Sequence, residues 1–188
     1  MKSFFLRQSV PDKLSQKDVA TLLLHLHGQV FGAESVTKIA ETCEITFASE
    51  ADLTRATWEW FYFGLHAVVQ GVQNNFSGKP DVGKAIVRAL FSELHSHLVA
   101  VGFTAPELEG KLASIKERFT QFDAICATGE YERVGQGAAA LVLDLKIAPG
   151  KIPRTLEAYE FGLLANQSYI GTLKATSELF ASIKLSSG

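Results

Sequence analysis

Glu59, Tyr62, His66, Gln70 and Gln73 follow one another at steps of three and four residues. At about 100° per residue, that spacing places all five on one narrow line of a helix, and Asp52 and Arg55 extend the line toward its start. The residue types suit two kinds of chemistry. An imidazole titrates near neutral pH and can move a proton, and a carboxylate, a phenol and two amides can orient a ligand by hydrogen bonds. Almost every other residue from Trp58 to Val72 is apolar or small, so the line must face water, a polar cavity or a partner. Taken as the wall of a pocket, these five residues are the candidate binding site for a small apolar or amphipathic ligand. The bland alternative is a solvated groove or a satisfied polar ladder. Enzymatic use of His66 needs a second group converging from another helix.

Other chemistry is sparse. The five histidines are His25, His27, His66, His95 and His97. No Glu precedes a His at the spacing a di-iron bundle uses, although His27, His66, Glu93 and His97 are the residues from which a metal site would have to be drawn. Glu93 and His97 are four apart and are expected to pair. Cys43 and Cys126 lie far apart, outside any CxxC or CxxH pattern, and are expected to be reduced core residues. There is no GxSxG, GxGxxG or P-loop motif. No metal and no cofactor are expected.

The elements that would position these residues are helical throughout. Apolar residues recur at three and four, and no run alternates. Ser15 and Asp18 open a helix to about Phe31, and a shorter one runs from Ser35 to about Cys43. The stretch Glu44 to Ala48 is ambiguous and could be extended. Ser49 and Asp52 then open the long helix that carries the polar line, ending near Asn75 before Ser77-Gly78-Lys79-Pro80. On its opposite side Gly64 and Gly71 lie a heptad apart, where a neighbouring backbone can come close. Further helices are expected over 81–101, 104–126 and 130–145. Pro149 to Pro153 forms a break, and a long final helix follows from about Arg154 to near Leu185. The expected fold is an all-α bundle, orthogonal or up-down, of about six or seven helices in a single domain, 1–188, with residues 1–14 as an N-terminal arm.

The final helix offers a second candidate site. Leu156, Tyr159, Leu163, Asn166, Ile170, Leu173, Ser177 and Phe180 hold a heptad register over more than three repeats, with Asn166 in mid-seam, where an amide can fix register. Phe161, Leu164 and Ala165 add apolar surface on another side. One face can therefore pack on the body while the other pairs with a second copy, which makes Leu163, Asn166, Ile170 and Leu173 candidate interface residues of a homodimer.

Ser35 to Thr46, reading SVTKIAETCEIT, resembles the first helix and turn of a helix-turn-helix of the TetR type. The resemblance covers about a dozen residues and implies a transcriptional regulator with a recognition helix over Phe47 to Leu53. Glu44 stands at the turn glycine's position, and Glu50 and Asp52 would face phosphates. Charge adds nothing in its favour: of 18 basic and 20 acidic residues, 9 and 10 lie in the first 94 and the same numbers in the rest. Nucleic acid is therefore not expected as a partner. The apolar run at Phe4-Phe5-Leu6 is too short for a signal peptide, and the uncharged stretch Trp60 to Gly78 carries His66, Gln70, Gln73, Asn74 and Asn75. A membrane span is not expected. The reading is a cytoplasmic interaction or scaffold protein that self-associates. A ligand-sensing or enzymatic bundle around His66 is the alternative.

Overall fold

The computed structural model describes residues 14–129, 132–145 and 155–183. They form an all-α bundle of seven helices: α1 (Gln16–Phe31), α2 (Ala33–Thr42), α3 (Glu50–Asn75), α4 (Pro80–Ala100), α5 (Ala105–Cys126), α6 (Glu132–Val142) and α7 (Leu156–Ser182). The helix starts follow local chemistry. Ser15 and Asp18 close a reciprocal capping box on α1, as do Thr104 and Glu107 on α5, and the Ser49 hydroxyl accepts from the Asp52 amide. The start of α2 departs from expectation, since Gly32 is its N-cap and Ser35 lies inside the helix. There the Ser35 hydroxyl accepts a 2.7 Å bond from the Trp60 indole. The arm and the 149–153 break fall outside the described residues, apart from Leu14, which is buried.

Glu44 to Ala48 is irregular rather than extended in a strand. Glu44 adopts φ 57° and Asp144 φ 52°, the left-handed conformation in which a helix C-terminus usually places glycine. At both ends the next amide turns back to a helix carbonyl, Ile45 to Ala40 and Leu145 to Ala140, each at 2.8 Å. Residues 47–53 span this loop and the first turn of the long α3, so no separate recognition helix stands where the TetR-type resemblance puts one.

Helix α3 is the axis of the bundle and packs against every other helix. Tyr62 through Val69 are all buried. Eight consecutive buried residues exceed two turns, so protein surrounds the helix on all sides there. It separates two apolar clusters. One gathers Phe31, Trp60, Phe63, Phe122, Phe161 and Tyr169, and the other gathers Leu23, Leu65, Val68, Ile86, Leu90 and Leu94. Gly64 leaves the space that the Phe31 side chain fills, and Gly71 leaves that for Thr176.

Helix α7 turns a different stripe inward from its heptad line. Ala158, Phe161, Gly162, Ala165, Tyr169, Thr172 and Thr176 are buried, whereas Leu156 is 66% exposed, Leu163 44% and Ile170 52%. Glycine sets this orientation. A Cβ on Gly135 of α6 would lie 2.2 Å from the Gly162 carbonyl and 2.6 Å from the Asn166 amide, so the two backbones meet almost directly. Among the described residues no helix is long and apolar enough to cross a membrane.

Candidate functional site

The polar line of α3 meets α5. Glu59 receives a bidentate pair from Arg118, Nε to Oε2 at 2.6 Å and Nη2 to Oε1 at 2.7 Å, the fork geometry that makes such pairs strong. Tyr62 lies beside Ser114 of α5, and burial pushes its phenol up. His66 Nε2 lies 2.9 Å from Asp123 Oδ1, and Gln70 Nε2 donates to the same oxygen at 3.0 Å. One turn before Glu59, Arg55 donates to the carbonyls of Leu141 and Val142 at 2.8 and 3.2 Å, covering the end of α6. Each of these groups thus finds its partner on a neighbouring helix, as buried polar groups must.

His66 is the deepest member, 0% exposed. Its ring packs between Phe119, Phe122 and Tyr169, with centroids 5.1, 5.3 and 5.8 Å away. The Tyr169 hydroxyl lies 3.0 Å from Nδ1. A carboxylate only accepts, so Nε2 carries the proton, and in the neutral ring Nδ1 accepts from the tyrosine. Burial lowers the pKa of His66, and the hydrogen bond and charge of Asp123 oppose that shift. The neutral ring then has both nitrogens occupied. Tyr169 in turn lies 4.0 Å from Cys126 Sγ, whose thiol burial pushes up.

The arrangement reaches water through Asp123, whose side chain is 57% exposed. With its ring closed off and both nitrogens bonded, His66 joins α3 to α5 and α7. Two surface grooves lie elsewhere, and His66 lines neither. One groove, of about 590 Å³, lies between the end of α3 and the start of α4, and Gln73 is the one residue of the polar line that borders it. The other, of about 530 Å³, lies beside Phe47, Arg55 and Leu143.

Other expected site residues separate. His27 is buried on α1 and donates to the Phe61 carbonyl at 2.9 Å, which fixes its Nε2–H form, and burial lowers its pKa to about 4. Glu93 reaches Lys17 on α1 at 3.6 Å rather than His97. Among the described residues no cluster of His, Cys, Asp and Glu could hold a metal ion. Of the four α7 interface candidates, Leu163 and Ile170 point outward. Asn166 abuts Gly135 with its Oδ1 buried inside the chain, and Leu173 packs on the core.

Sequence reasoning missed Ser114, Arg118, Asp123 and Tyr169. Ser114 and Arg118 are four apart beside the apolar stripe of α5, so a polar edge was readable there. Nothing in the spacing paired that edge with α3. The chain matches no family model, no curated protein and no solved structure.

Proposed function

We propose that the protein acts as an assembly module that pairs with a second copy of itself through the outer face of α7. The observation that carries this reading is the division of α7 into two stripes. One is buried against α3 and α6, while Leu156, Leu163 and Ile170, seven residues apart, stay in water. Heptad spacing of outward apolar residues suits a partner helix.

The charges suit an antiparallel, two-fold arrangement centred on Gln167. Glu160 and Lys174 stand seven residues to either side of it and are both exposed. A two-fold axis therefore brings each Glu160 to the Lys174 of the other copy, the self-complementarity that an isologous interface requires. Leu163 and Gly171 stand four residues to either side, so Leu163 of one copy seats over Gly171 of the other. A Cβ at Gly171 would meet nothing within 4 Å, and the glycine leaves room for the approach.

Light scattering across a concentration series tests the reading. Wild type is expected as a dimer and Leu163→Asp as a monomer with unchanged helical circular dichroism. Lys174→Glu is expected to loosen the dimer, and the reciprocal pair Glu160→Lys with Lys174→Glu to restore it. A wild type that stays monomeric, or a Leu163→Asp variant of unchanged mass, overturns the proposal. A reciprocal pair that restores nothing overturns the antiparallel register.

A further inference from the structure

We propose that the groove between the end of α3 and the start of α4 binds a free medium-chain carboxylate, its hydrocarbon lying on Phe76, Pro80 and Val87 and its head held by Lys84 and Arg88. This site lies apart from the outer face of α7 and does not depend on self-association.

The floor is built by a missing side chain. A Cβ on Gly83 would lie 3.1 Å from the Cβ of Phe76, so Phe76 lies directly against the α4 backbone and presents its ring to the groove. Phe180 of α7 braces that ring edge-on from behind, with centroids 4.9 Å apart. The space measures about 590 Å³, within the range of small-molecule sites.

The rim is cationic. Lys84 and Arg88 are four apart on α4, about one turn, and both are exposed. Neither belongs to an ion pair among the described residues. No carboxylate lines the groove, whose remaining polar borders are Gln73 and Ser77. An apolar floor beside two cations and no anion is complementary to an amphiphile with one negative head. Arg88 Nε donates to the Lys84 carbonyl at 3.3 Å, a bond that brings no counter-charge, so a neutral hydrocarbon would leave both cations without one, and a simple anion would leave the floor wet.

The experiment is a titration of the full chain with decanoate, kept below its micelle-forming concentration and followed by calorimetry and by amide chemical shifts. Saturable binding is expected, with shifts centred on residues 73–88. Each exposed charge contact is worth well under 1.4 kcal/mol, so decanol should bind roughly three- to tenfold more weakly than decanoate. Butyrate, which lacks the chain, should not saturate. Lys84→Glu with Arg88→Glu should weaken decanoate by about tenfold or more, because repulsion replaces attraction. Ser77→Trp, which fills the groove from an exposed position, should abolish binding while circular dichroism stays unchanged. Equal affinity for decanol and decanoate overturns the proposal, as do shifts centred elsewhere or an affinity indifferent to the charge reversal. So does a groove that takes an acidic amphipathic peptide but not decanoate.

Discussion

Replacing Tyr169 with Phe removes the hydroxyl that links His66 Nδ1 and Cys126 Sγ in the α3–α5–α7 network. The residue is 1% exposed, and its ring packs on Phe63 and His66 with centroids 5.2 and 5.8 Å away. Phe retains that packing and removes only the hydroxyl, which lies 3.0 Å from His66 Nδ1. His66 is wholly buried, so the nitrogen loses its donor with no water at hand. Leaving a buried acceptor unsatisfied costs about 1–3 kcal/mol, so a loss of about 2 kcal/mol is expected. In a chain of this size that lowers Tm by roughly 4–8 °C. Urea unfolding followed by circular dichroism, at one protein concentration so that self-association does not shift the midpoint, measures the loss. A cycle with His66→Phe then separates the pair from its surroundings, and a coupling of about 1 kcal/mol is expected for groups in direct contact. A Tyr169→Phe variant within about 0.3 kcal/mol of wild type, or a cycle additive within that margin, would refute the reasoning. The hydroxyl would then contribute nothing through His66.

Two more outcomes follow from the same packing. Gly135→Ala should destabilise the fold by about 2–3 kcal/mol, because the α6 and α7 backbones must separate and helix propensity returns only about 1 kcal/mol. Gly110→Ala on exposed α5, where a Cβ meets nothing within 4 Å, should instead stabilise by up to about 1 kcal/mol. Chemical denaturation of both variants checks the opposite signs, and a Gly135→Ala variant as stable as wild type contradicts the close crossing. Acid should weaken the protein through His27, whose pKa falls to about 4 on folding from about 6.5 in the unfolded chain. Below about pH 6.5 the unfolded chain takes up a proton that the folded one refuses, so stability falls as pH drops. About 2 kcal/mol should go between about pH 7 and pH 5. The His27→Leu variant should lose about that much less over the same interval in urea unfolding, and an unchanged pH slope excludes His27 as the cause.

Local rules made much of this protein legible in the residues alone. Ser15 with Asp18 and Thr104 with its following turn mark helix starts because capping is decided within one turn of chain. The centrality of α3 was readable because its apolar residues occupy almost every side but one. The same periodicity identified the line Glu59, Tyr62, His66, Gln70 as a special face and required that face to find partners.

Which partners it found was decided only by the tertiary structure. His66 meets Asp123 and Tyr169 across separations of 57 and 103 residues, and no spacing rule reaches that far. Helix α7 shows the limit most plainly. It carries two interleaved apolar stripes, and periodicity alone leaves open which of them packs on the body and whether the heptad line pairs with a second copy. The structure buries the other stripe, because Gly135 and Gly162 let α6 and α7 touch backbone to backbone there. Close approach multiplies contacts that are individually weak. Periodicity records which residues share a face, whereas the direction of that face depends on the shape of the surface opposite.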